Sequence, residues 1–178
     1  MRLFVAIQLN QKVKDRIREL QDAFRRQQVG GNYTPRENLH ITLAFIGDYP
    51  DPDRVLDAMA GLRFSPFTLK LNHIGCFDSL WWAGPAESIE LEKLARGLRR
   101  ALAEAGIPYD KKKFKAHITF LRKPAYANGR TPPQLLVKPV EMQVARISLM
   151  RSDRGKNGML YTELGSVSAG RAENPEAM

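Results

Sequence analysis

Residues 2–9 place Leu3, Val5 and Ile7 on one face of an extended chain and Phe4 and Ala6 on the other, which predicts a central strand covered on both sides. Asn10 then offers a helix N-cap. Val13, Ile17, Leu20 and Phe24 recur at helical spacing up to Gly30-Gly31, with Lys, Arg and Glu on the outer face, so an amphipathic helix should return the chain to the sheet. Two later stretches share one pattern. In residues 39–45, Leu39, Ile41, Leu43 and Phe45 point to a core while His40 and Thr42 stand on the opposite face; in residues 115–121, Ile118 and Phe120 lie beneath His117 and Thr119.

Between these stretches the pattern predicts a loop at Tyr33, Thr34 and Pro35 and a turn from Gly47 through Pro52. A short helix over residues 53–62 buries Val55, Leu56, Met59 and Leu62. A strand follows through Phe67, Leu69 and Leu71 toward His73, and another lies at residues 80–83. Residues 88–105 form the longest helix, with Ile89, Leu91, Leu94, Ala95, Leu98, Leu102 and Ala105 inward and Gly106 as its stop. After a loop over residues 125–133, residues 140–150 and 159–167 read as two strands joined by a turn, and residues 168–178 as a disordered tail.

A chain of 178 residues, 43% of them hydrophobic, suffices for one core. Its net charge of +9 favours a polyanionic partner. The single cysteine, Cys76, excludes an intrachain disulfide and fits a reducing compartment. No signal peptide and no apolar run of about 20 residues occur, so a cytoplasmic monomer away from membranes is expected.

The chemistry lies in the repeated His-Ile-Thr. Only three His occur in the chain, and two of them having Thr two residues on is a chance event at about the 0.3% level. One such His is ordinarily a satisfied strand residue; two copies point to a paired site. The copies lie 117 − 40 = 77 residues apart, close to half the chain. That spacing suggests two diverged halves, hence an α+β fold of two pseudo-symmetric lobes with antiparallel sheets, flanked by helices, around a central cleft within residues 1–167.

The setting of the first copy, Asn38-Leu39-His40-Ile41-Thr42-Leu43-Ala44-Phe45-Ile46-Gly47, the Arg122 after the second, and the opening Arg2-Leu3-Phe4-Val5-Ala6-Ile7 resemble the two-histidine phosphoesterase superfamily. Within it the chain most resembles bacterial and archaeal RNA 2′,3′-cyclic phosphodiesterases, first described as 2′-5′ RNA ligases. The resemblance covers most of the chain. One departure is Ala116, where the family usually has Pro. The resemblance implies the bilobal fold and metal-independent hydrolysis of RNA 2′,3′-cyclic phosphate ends to 2′-phosphate ends, without a cofactor. His40 would protonate the departing 3′ oxygen and His117 would deprotonate water.

Physical chemistry accommodates that reaction. Imidazole titrates near ~6.5, so two His can serve as acid and base, while Thr42 and Thr119 donate hydroxyls to phosphate oxygens. Arg122 is expected at the phosphate, although strict alternation from His117 puts it on the other face unless the strand bulges or ends near Leu121. Phe4 is either core or a stacking surface for a base. Of the adjacent Trp81 and Trp82, one should be core and the other available to a ligand or a lobe interface. His73 has no Thr partner and reads as structural. The run Lys111-Lys112-Lys113-Phe114-Lys115 reads as a solvated face or as a dock for RNA phosphates. Three alternatives stay open: 2′-5′ ligation by the reverse chemistry, a phosphodiesterase acting on 2′-5′ oligonucleotides or another cyclic phosphate, and an RNA-end binding module without turnover.

Overall fold

The computed structural model describes residues 1–77, 79–127 and 138–170. Among these residues are two four-stranded antiparallel sheets and a two-stranded ribbon. In the first sheet, β1 (Arg2–Gln8) lies between β3 (His40–Asp48) and β9 (Arg146–Gly155), with β10 (Gly158–Ser168) at the edge. The second has the order β2 (Val29–Tyr33), β7 (Ile118–Tyr126), β6 (Leu80–Gly84), β5 (His73–Phe77). The ribbon pairs β4 (Phe67–Leu71) with β8 (Val140–Val144). Each large sheet thus carries one copy of the repeated motif.

The helices tie the sheets together. Helix α1 (Gln11–Arg26) starts at Asn10, whose side chain accepts from Val13 N at 2.9 Å. It leaves β1 of the first sheet but packs against β2, β7 and β8. Helix α3 (Ile89–Glu104), capped by Ser88, leaves β6 of the second sheet but packs on β3, and α2 (Pro52–Ala60) lies on β9, β10 and α3. The α1 and α3 crossings each bury an apolar stripe against the other half, so one continuous core runs from Leu3, Val5 and Ile7 to Phe24, Leu98 and Phe120. Among the described residues no helix is long and apolar enough to cross a membrane.

Several expected boundaries move. Helix α1 ends at Arg26, before Gly30-Gly31, because Gln28 turns left-handed at φ 61°, and both glycines enter strand β2. Gly31 sits there at φ 130°, and a Cβ on it would lie 2.7 Å from the Lys123 carbonyl oxygen. The expected strand through His73 is two strands in different sheets, divided at Asn72, and residues 140–150 likewise divide between β8 and β9. Ile89, expected inside, is 61% exposed because it begins α3 before the helix meets its sheet. Leu56 and Leu62 are only half-buried. Ala125 and Tyr126, expected in a loop, extend β7, whereas residues 128–133 lie outside the described set. Of the expected tail, Ser168 ends β10, Ala169 N donates to Ala145 O, Gly170 N donates to Phe64 O, and the remainder is not described.

Candidate active site

Both motif strands break their alternation at the same place, directly after the Thr. On β3 the sequence His40-Ile41-Thr42 is followed by two buried residues, Leu43 and Ala44, where the pairing with β1 slips by one residue. On β7, Thr119 is followed by buried Phe120 and Leu121, with Phe120 the extra residue opposite Trp81 and Trp82. Each bulge returns the next side chain to the His-Thr face. Arg122 therefore joins His117 and Thr119, and Phe45, expected in the core, is half-buried on the face of His40 and Thr42. A second irregularity, where Gly31 faces Lys123 and Pro124, lets β7 continue to Tyr126 past the proline.

The Phe120 bulge is held from below. Its carbonyl accepts from Thr34 N at 3.0 Å and from Gln21 Nε2 at 3.1 Å, and the same Gln21 amide donates to Thr34 O. Gln21, only 6% exposed on the inner side of α1, thereby ties the bulge residue's carbonyl to that of Thr34.

His40, Thr42, His117, Thr119 and Arg122 line one cavity of about 670 Å³. The two imidazoles are oriented alike. His40 Nδ1–H donates to the Asn38 carbonyl at 2.7 Å and His117 Nδ1–H to the Lys115 carbonyl at 2.6 Å, in each case two residues back. A carbonyl only accepts, so Nδ1 carries the hydrogen and Nε2 is left for chemistry on both rings. Thr42 Oγ1–H donates to His40 Nε2 at 2.9 Å. Asn38, itself buried, donates from Nδ2 to Met159 O and so anchors the carbonyl that orients His40.

Electrostatics follow from burial and from like charge. Desolvation holds both imidazoles below the ordinary His value. His117 and Arg122 lower His40 further, and Arg122 and Lys115 do the same to His117. Arg122 has no carboxylate partner among the described residues, so its charge faces the cavity. Among those residues no three His, Cys, Asp or Glu side chains gather as metal ligands.

The other candidates separate. Phe4 is 4% exposed and offers no free face to a base: its ring packs 5.0 Å from His40 and 5.1 Å from Tyr161, so it acts on the site only by holding the His40 ring. Trp81 and Trp82 are both buried, at 7% and 6% exposed, because β6 is an inner strand covered on both faces, so neither ring is free for a ligand. Trp81 packs on Phe24 and donates from Nε1 to Tyr126 Oη. His73 lies exposed on β5, 5.5 Å from Trp82 and outside the cavity. Tyr33, Asn38 and Tyr161 line the cavity without having been singled out for it. Asn38, inside the first motif, and Tyr161, in the late strand that shares in the resemblance, carried a sequence signal; Tyr33 comes from a strand whose pairing the sequence does not state.

The family model described as the 2′-5′ RNA ligase superfamily matches residues 9–156. The chain is 33% identical to the RNA 2′,3′-cyclic phosphodiesterase of Thermus thermophilus, covering 94% of this chain and 90% of that one. It is 27% identical to the protein of the same name from Thermotoga maritima, covering 92% and 93%. Among solved structures, Escherichia coli LigT complexed with 3′-AMP aligns at a TM-score of 0.79 and 26% identity over 94% of this chain and 97% of that one. TT0787 of Thermus thermophilus aligns at 0.76 and 32% identity over 94% and 97%.

Proposed function

The chain belongs to the 2′-5′ RNA ligase superfamily, and from that membership and the site's geometry we propose that it hydrolyses RNA 2′,3′-cyclic phosphate ends to 2′-phosphate ends. The observation that carries the reading is the convergence of His40 and His117, each with Nε2 left for chemistry, on a cavity that also holds Thr42, Thr119 and Arg122. Its relatives named RNA 2′,3′-cyclic phosphodiesterase support the substrate.

The reaction uses this chain's own groups. With phosphorus between the rings, His117 Nε2 removes a proton from water, the water oxygen bonds to phosphorus, the P–O3′ bond breaks, and His40 Nε2–H protonates the departing 3′ oxygen. The assignment of acid and base follows the family resemblance; the Thr42 hydroxyl serves His40 Nε2 in either protonation state, donating to the neutral ring and accepting from the protonated one. The carbonyls of Asn38 and Lys115 fix the Nδ1 protons, so proton transfer is confined to the two Nε2 atoms. Arg122 and the Thr hydroxyls donate to the non-bridging oxygens. Burial makes His40 a stronger acid than a free imidazole, which aids protonation of an alkoxide.

Incubation of a short RNA bearing a 2′,3′-cyclic phosphate, in chelator, with the product end identified, tests this. The expected product carries a 2′-phosphate and a 3′-hydroxyl. A 3′-phosphate product, or none, overturns the reading.

A further inference from the structure

A second cavity of about 400 Å³ meets the first at Thr42 and His117, which line both. From those two residues the cavities run in opposite directions along each motif segment. At β3 the first takes His40 and, just before the strand, Asn38, and the second takes Phe45; on the other side the first takes Thr119 and Arg122 and the second takes Lys115. One groove therefore passes the imidazole pair, with a compartment on either side.

The compartments differ in chemistry. Apart from the His pair, the first contains one charged side chain, Arg122, among hydroxyl, amide and tyrosine groups suited to a single nucleoside. Among the described residues the second gathers Arg99, Lys112, Lys113 and Lys115 against one carboxylate, Asp110, whose Oδ1 already accepts from Lys112 N at 3.0 Å. None of these four cations forms an ion pair among the described residues. Arg99 is half-buried and fixed, donating to the Leu43 and Lys112 carbonyls at 3.3 and 2.7 Å. Aromatic faces interleave with the charge: Lys115 Nζ stands 4.7 Å from the Phe77 ring centre, and Phe77 meets the His117 ring edge-on at 5.4 Å.

A cluster of cations beside phenylalanine rings suits a ligand that repeats an anion and a flat apolar face, the signature of a single-stranded nucleic acid. A cyclic mononucleotide has one phosphate, and the imidazole pair takes it. The cationic cleft is then left for what only a longer chain supplies. We propose that this cleft, built on Lys112, Lys113, Lys115, Phe45 and Phe77, is the subsite for the RNA nucleotide adjoining the cyclic end, with its phosphodiester on the lysines and its base against the phenylalanines. The subsite makes the enzyme selective for RNA ends over free cyclic nucleotides, and it rests on the cyclic phosphodiesterase reading given above.

The test compares a nucleoside 2′,3′-cyclic phosphate with a short RNA ending in that same nucleotide, across a range of salt concentrations, for wild type and for the Lys112→Ala, Lys113→Ala double variant. Wild type should favour the RNA in kcat/KM by tenfold or more at low salt. The variant should lose most of that preference, flatten the dependence of log kcat/KM on log salt by about 1.4, and keep turnover of the mononucleotide within twofold. Equal use of both substrates by wild type, or an equal loss on both in the variant, would overturn the subsite. Hydrolysis of neither substrate by wild type would overturn the phosphodiesterase reading on which it stands.

Discussion

Phe45 and Arg122 occupy the same place in the two halves: each follows its His by five residues, and each is turned onto the His-Thr face by a pair of consecutive buried residues. The same backbone device thus delivers an aromatic ring from one strand and a guanidinium from the other. Arg122 depresses the protonation of both imidazoles, and with no carboxylate partner among the described residues it is available to a phosphate. Arg122→Ala should lower kcat/KM by about 10²–10³-fold, as for loss of one donor to a developing oxyanion. Both imidazoles should also titrate at higher pH, which NMR of the ring protons reads directly. Unmoved titrations with full activity would remove Arg122 from the site.

His40→Ala and His117→Ala should each cost about 10²–10⁴-fold in kcat, the ordinary range for a positioned acid or base. The circular dichroism spectrum should stay that of the wild type, because both rings are half-buried at the cavity wall and the core lies beneath Ile41 and Ile118. Near-wild-type turnover from either variant in chelator would dismiss the acid-base pair.

Much of this site is legible in the chain because a strand's period of two is so simple. Leu39, Ile41 and Leu43 are buried and His40 and Thr42 are not, as alternation requires. Alternation fails where one residue is inserted against a partner strand, and the partner is not named in the sequence. Arg122 needed the Phe120 bulge to be placed, and Phe45 was assigned to the core for want of the matching bulge on β3. The Gly30-Gly31 pair suits a helix stop and a tightly approached strand equally well, which concealed β2 and with it Tyr33. Trp81 and Trp82 face opposite sides, as adjacent strand residues do, but only the tertiary packing covers both.

Gly31→Ala probes the architecture that carries Arg122. A Cβ at that position would stand 2.7 Å from Lys123 O and 3.0 Å from Arg122 O, on a backbone at φ 130° that L side chains rarely adopt. Relief requires β2 to move off β7 beside Arg122. The variant should lose about 1–3 kcal/mol of stability to backbone strain, seen as a lower urea midpoint, and its KM should rise more than its kcat falls. Unchanged stability would mean that the two strands do not approach this closely.

Acid should act on the fold and on the rate through the same two rings. His40 and His117 both sit below the ordinary value of 6.5 because burial disfavours the imidazolium. The unfolded chain, with ordinary imidazoles, therefore takes up protons first as the pH falls, and the slope of stability with pH is positive in that range. The contribution is fully present above about pH 6.5 and is lost as the pH drops through the folded values. His40→Asn should flatten urea midpoints between neutral and mildly acidic pH, since one of the two linked protons disappears. For the free enzyme, kcat/KM requires one ring charged and the other neutral, so its bell should centre on the acid side of 6.5. A rate that climbs without a maximum through neutral pH would mean that only one imidazole, acting as a base, serves the reaction.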